Sequence, residues 1–461
     1  MADVIPWLAW CYQALFFSLL LPLLFGLGIY LTLRLRMLQI GRLPAAFSTL
    51  MEKRSTAGRG LSHYEAVAAV LAGNFGTGNI SGMAVALSTG GVGALFWMWV
   101  AVFCGSIIQY ASCLLGARYA EDNHRKERVG GPMYYLRAAG YPKLAILFAL
   151  ATLLSAVTVG NLVQVNSLLL PFADVGLQAV PLCLLLVAAV AVVLLGGVSR
   201  FAKLASALVP LMALLYLGCA FWVLYQFCSE IPQAFSQALQ AAFHWQAVVG
   251  GGAGALLYQV IVVGASRAIL ATDSGSGLAP LLQSQVRSDS PVLNGLAALC
   301  PPLIVMAVCT VTALVLMVTG AWNLPGVEST NLCILAFVKG THSSFGHYAV
   351  LLSLLAFGYT TILAWAYCAE RALEYLWSSE KAVYFFRFFY TLLLPVGAWM
   401  QVDLVWTMAD LSLAIMTFVN LVGLCLLRKE VVAATRSFFT PAMAYASSPL
   451  LAKGQPLSSS G

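Results

Sequence analysis

Apolar runs long enough to cross a bilayer follow one another through almost the whole sequence, at about 7–33, 64–87, 92–116, 144–170, 180–195, 204–227, 247–269, 292–318, 348–367, 382–399 and 404–427. In hydrocarbon every backbone N–H and C=O must find a partner inside the protein, which leaves helices or closed barrels. Runs of roughly 20 residues select helices, since barrel strands need only about half that length. With 61% hydrophobic and 9% charged residues, a chain of 461 residues has too little polar surface for a soluble core. The expectation is an all-α polytopic membrane protein with about 11 transmembrane helices.

Basic residues concentrate on the cytoplasmic side of membrane proteins. When every Lys and Arg is assigned to a connection between runs, all of the 24 except Lys339 fall on one side. This predicts a multi-pass protein of the cell membrane, in a bacterium the inner membrane, with the N-terminus outside and the C-terminus cytoplasmic. The positive charge is thus topological and implies no nucleic acid. The opening MADVIPWLAWCYQ has neither a basic leader nor a small-residue cleavage site, so the first run reads as a retained span. Residues 43–51 read as an amphipathic helix on the inner face.

Within the second run, AGNFGTGNISG interrupts the apolar pattern. Gly73, Gly76 and Gly78 weaken helical backbone, and Asn74, Thr77 and Asn79 would be costly facing lipid. Irregular backbone at that depth is tolerated where it lines a site. A second glycine cluster, Gly250 to Gly254, sits near the outer part of the seventh run. With the first span set aside, the rest divides into two groups of five, each opening on an interrupted helix and oriented oppositely, the pattern of an inverted-repeat transporter. The boundaries are 1–61 for the N-terminal helix and linker, 62–228 and 229–428 for the repeats, and 429–461 for the tail. Close helix packing through GxxxG spacing is the competing reading of the glycines.

GNFGTGNISGMAVALSTGGVGALFWMWV (73–100), GGPMYYL (130–136), GNLVQVNS (160–167) and TTILAWAYCAERALEYL (360–376) together resemble the alanine/glycine:cation symporters of the amino acid, polyamine and organocation superfamily. The resemblance spans nearly the whole chain and implies a LeuT-like fold, one helix preceding a 5+5 inverted repeat. The chain departs from the family pattern at 266–280, SRAILATDSGSGLAP, where Asp273 stands in place of a glutamate, and at Ala364 and Ala366.

A helix broken at mid-membrane presents free N–H groups to anions and free C=O groups to cations. A zwitterionic small neutral amino acid, alanine or glycine, fits: its carboxylate meets Gly76, Thr77, Gly78 and Asn79, and its ammonium meets carbonyls near Gly251 and Gly252. Gln164, on a polar stripe with Gly160, Asn161 and Ser167, is the expected side-chain contact, and Trp365 is expected to cap the pocket. The resemblance further implies a sodium site formed by carbonyls around Gly73 and Gly76 with the hydroxyls of Thr360 and Thr361. Sodium is the expected coupling ion, with no organic cofactor. Glu65, Asp273 and Asp410 read as lying at span ends away from both breaks, which argues against a proton carrier, and no Lys or Arg reads as lying at mid-depth, so no fixed cation replaces sodium. A proton-coupled symporter of the same fold is the alternative. An intramembrane enzyme would need a nucleophile with its base or a metal cluster; HExxH and GxSxG are absent and the five His fall in connections or at span ends. A channel would predict a symmetric polar lining rather than two opposed breaks.

Overall fold

The computed structural model describes residues 4–51, 61–123, 127–174, 179–243, 253–324 and 329–446. In chain order the principal helices are α1 (Ile5–Arg34), α2 (Leu43–Met51), α3 (His63–Asn74), α4 (Ser81–Gly90), α5 (Ala94–Arg118), α6 (Pro132–Ala138), α7 (Pro142–Leu169), α8 (Val180–Leu194) and α9 (Gly197–Gln226). They continue with α10 (Ile231–Phe243), α11 (Ala253–Thr272), α12 (Leu278–Gln283), α13 (Pro291–Val318), α14 (Ser329–Thr341), α15 (Phe345–Leu376), α16 (Glu380–Trp399) and α17 (Val402–Ala446). A two-stranded hairpin pairs Glu121–Asp122 with Arg128–Val129.

Among the described residues eight helices are long and apolar enough to cross a membrane, and Val180–Leu194 and Tyr258–Thr272 are shorter apolar helices. The protein is therefore helical and polytopic. Run 64–87 is two helices, α3 and α4, joined through irregular backbone as the glycines and amides predict. The amphipathic helix at 43–51 is present as α2. The predicted boundary at 428/429 falls inside α17, which continues to Ala446.

The second interruption was expected at Gly250 to Gly254, of which only Ala253 and Gly254 belong to the described residues. Gly250, Gly251 and Gly252 are outside the described residues, and from Ala253 onward α11 is continuous to Thr272. The break comes next, between Asp273 and Gly277, where Asp273, Gly275 and Gly277 all take positive φ (49°, 89° and 89°) before α12 begins. Glycine adopts this left-handed region freely, and Asp is among the few side chains that tolerate it. The break thus coincides with the segment that departs from the family pattern.

Helix α5 positions this second break. It is hydrophobic on all sides and almost wholly buried, whereas α16 lies at the periphery. Its small residues admit close neighbours: a Cβ on Gly105 would come within 2.6 Å of Ser274 Cβ, and one on Gly116 within 2.7 Å of Pro280 Cβ. Glycine at these points lets the broken segment lie directly against α5. On the opposite side α7 packs against α15, with Gly160 touching Trp365 and Gly358 facing Leu168.

One charge sits deeper than the sequence suggests. Arg267 belongs to the body of α11 and its Nη2 pairs with Asp410 Oδ2 of α17 at 3.1 Å, with both side chains largely buried. It was expected in a connection because an arginine near a run's end is indistinguishable, in sequence, from one just outside it. Toward the hairpin end, Arg371 bonds Glu127 at 2.8 Å, Arg387 grips Glu370 through two bonds of 2.6 and 2.7 Å, and Gln285 contacts the Tyr367 hydroxyl.

Candidate functional site

The first break begins where α3 runs out of helical partners. Phe75 N–H still donates to Leu71 O at 2.7 Å, but Gly76 N–H turns back to Asn74 O, and Gly76 is extended (φ −108°, ψ −169°). Residues Thr77–Asn79 then form one tight turn leading into α4. A Cβ on Gly76 would stand 3.1 Å from both Gln164 Oε1 and Thr361 Oγ1. The absence of a side chain there lets α7 and α15 bring polar groups onto the irregular backbone.

Thr361 and Thr360 separate sharply. Thr361 Oγ1 lies 3.0 Å from Ala72 O, 3.2 Å from Gly73 O and 3.2 Å from Phe75 O. One hydroxyl proton serves one of these carbonyls at a time, so four oxygens are gathered where one donor is available. Such a cluster of neutral oxygens suits a hard monovalent cation. Thr360 bonds back to Ala356 O and Phe357 O of its own helix, both at 3.0 Å, and takes no part in the cluster.

Gln164 reaches the break through a local change of helix type. Residues Thr158–Leu162 form a π turn, a feature that recurs at functional sites. Gln164 Nε2 donates to Val159 O at 3.0 Å, which turns Oε1 to accept from Thr77 N–H at 3.1 Å. The same turn splits the predicted polar stripe: Gly160 packs against Trp365, and Asn161 Nδ2 donates to Tyr390 O at 2.7 Å, away from the break.

The two breaks meet face to face. Asn74 Nδ2 donates to Thr272 O at 2.8 Å, and a Cβ on Gly78 would lie 3.7 Å from Leu270 O. Ser274 N–H, which would serve Leu270 O in a continuing helix, donates to Thr272 Oγ1. Asn79 braces the first break internally, with Nδ2 donating to Asn74 O at 2.8 Å. Between the breaks is a cavity of about 10 Å³, room for one water-sized centre. Gly73, Gly76, Gly78, Gln164, Thr361 and Trp365 border it, and Thr77, Asn79 and Thr360 do not. Gly251 and Gly252 lie outside the described residues.

Six further residues border the cavity: Asn74, Val159, Val163, Leu270, Asp273 and Trp406. Asn74 was singled out as part of the interruption but not as a site residue, and Trp406, which is covered by the Arg267 guanidinium 5.3 Å from its ring centre, carries no sequence signal beyond its type. Asp273 overturns the expectation that no acid lies beside a break. Its position at a helix end was legible; that this end is itself the break was not, because the glycine cluster at 250–254 drew the assignment away.

The chain matches the family model described as the sodium:alanine symporter family over residues 1–449. It is 34% identical to a sodium/alanine symporter of Methanococcus maripaludis, covering 91% of this chain and 94% of that protein. A probable sodium/glutamine symporter of Bacillus subtilis is 32% identical over 91% of this chain and 88% of its own length. An uncharacterized transporter of Haemophilus influenzae is 36% identical, with 91% and 93% covered. By this match, and with the helical, membrane-spanning architecture described above, the chain belongs to the sodium:alanine symporter family.

Proposed function

We propose that the protein couples the inward movement of sodium to the uptake of a small neutral amino acid, alanine or glycine, by alternating access. The observation that carries this reading is the set of three carbonyls, Ala72 O, Gly73 O and Phe75 O, held within 3.2 Å of the Thr361 hydroxyl. Sodium fits there because neutral oxygens hold it without a buried fixed charge. The substrate carboxylate meets the N–H groups of Thr77 and its neighbours, displacing or joining Gln164 Oε1, and the ammonium meets Leu270 O at the second break. That assignment replaces the one to Gly251 and Gly252 for the ammonium.

The cavity must widen to admit an amino acid. The walls that border it include Gln164, Trp365 and Trp406, so the widened space suits a small side chain. The coupling is energetically sufficient: 100 mV contributes about 2.3 kcal/mol per charge, and a tenfold sodium gradient about 1.4 kcal/mol more. Together these support a solute gradient on the order of 500-fold for one sodium per substrate.

The substrate assignment is tested by exchange of radiolabelled alanine in proteoliposomes against an excess of unlabelled competitors. Glycine, alanine and serine compete, and leucine does not. Competition by leucine equal to that by alanine overturns the assignment. A proton-driven reading is kept as the second one because Asp273 borders the cavity.

A further inference from the structure

We propose that Asp273 and Asn74 hold a second sodium ion, separate from the one at Thr361. The proposal rests on the reading of this cavity as the ion and substrate site. Two residues that border the cavity, Asp273 and Asn74, each carry a buried acceptor oxygen, Oδ1, without a hydrogen-bond partner, and both are 3% exposed. The amide of Asn74 is fixed in orientation, since its Nδ2 is committed to Thr272 O, which leaves Oδ1 free. Asp273 is fixed by its backbone, whose N–H donates to Ile269 O at 2.7 Å while its carbonyl accepts from Ser276 Oγ at 2.7 Å.

An unpaired buried carboxylate is costly, by several kcal/mol for an ion of this kind. The buried cations nearby do not serve it: Arg267 is paired with Asp410, Arg371 with Glu127 and Glu374, and Arg387 with Glu370. A cation that arrives with the cargo offsets the cost. The size of the space selects among the candidates. A cavity of about 10 Å³ takes a dehydrated sodium ion, no larger than a water, before any widening that admits the amino acid. Sodium takes several oxygen ligands, and a carboxylate together with an amide oxygen begins such a shell.

The two sites differ in kind. The Thr361 cluster is made of neutral oxygens, so its sodium keeps its charge, while the charge at the second site is neutralised by Asp273. Two sodium ions per turnover follow, one of them electrically compensated.

The test is equilibrium binding of radioactive sodium to the purified full-length protein, without amino acid, in wild type and variants. Asp273→Asn is chosen because asparagine also tolerates the positive φ at this position. Wild type binds two sodium ions per chain, Asp273→Asn one, and Thr361→Val two, with one affinity weakened at least fivefold. Asn74→Ala, which spares the charge and serves if Asp273→Asn is not monodisperse, weakens one of the two sodium affinities at least tenfold. An unchanged sodium count in Asp273→Asn, or an unaltered titration in Asn74→Ala, overturns the second site. An unchanged count accompanied by tenfold weaker alanine binding means that the carboxylate holds the substrate ammonium, and this also overturns it. Loss of one sodium in Asp273→Asn with an unaltered sodium titration in Thr361→Val sustains the proposal while contradicting the Thr361 site.

Discussion

At the scale of single residues, adjacent threonines with identical chemistry are given opposite roles by helix phase. Thr361 faces the end of α3 and Thr360 faces its own preceding turn. Thr361→Val removes an oxygen from the cluster at nearly constant shape, a loss of about 1–3 kcal/mol for a buried polar contact. The sodium concentration for half-maximal alanine uptake is therefore expected to rise about fivefold to more than a hundredfold. Thr360→Val, measured in the same titration, is expected to leave it within about twofold, since a back-bonded hydroxyl contributes little. The sequence identified the pair and not the choice between them, because one position of helical phase lies below what an apolar pattern resolves. Gln164 was legible for the opposite reason: an amide among apolar residues at membrane depth has few uses besides a site. Asp273 was visible as an acid and invisible as a site residue, because its importance comes from a break that the nearby glycines did not mark.

At the scale of elements, the buried pair Arg267–Asp410 joins the second broken helix to α17, with Arg267 also lying over Trp406 at the cavity wall. Removing one partner of a buried pair leaves an uncompensated charge and costs about 3–5 kcal/mol, while replacing both costs much less. Asp410→Ala is expected to lower the thermal unfolding temperature of the purified protein markedly, and Arg267→Met combined with Asp410→Leu to recover most of the loss. Equal destabilisation by the single and double replacements would show that the pair's charges are not what matters. The first broken helix was legible because glycines and amides alternate through it. The break at the end of α11 was not legible because it is marked by positive φ at only three residues, one of them an aspartate.

At the scale of the whole molecule, the helical, membrane-spanning character was legible from hydropathy, although eight helices among the described residues, and not eleven, are long and apolar enough to cross a membrane; we propose the orientation from the distribution of basic residues, with Arg267 removed from that count by its burial in α11. With the N-terminus outside, the connection between α9 and α10 faces outward, and it carries Cys228, an exposed native cysteine. A membrane-impermeant maleimide applied to intact cells is expected to label wild type and not Cys228→Ser, and to leave an added Ala138→Cys unlabelled until the cells are opened. Labelling of Ala138→Cys in sealed cells would reverse the topology. The central claim is that sodium drives amino acid uptake through the cavity between the two breaks. Its most direct test is the initial rate of alanine uptake into proteoliposomes at constant pH, with an inward sodium gradient or with choline in its place. Uptake that is lost in choline and insensitive to a proton ionophore is the predicted result; undiminished uptake in choline, abolished by collapsing the proton gradient, would contradict it.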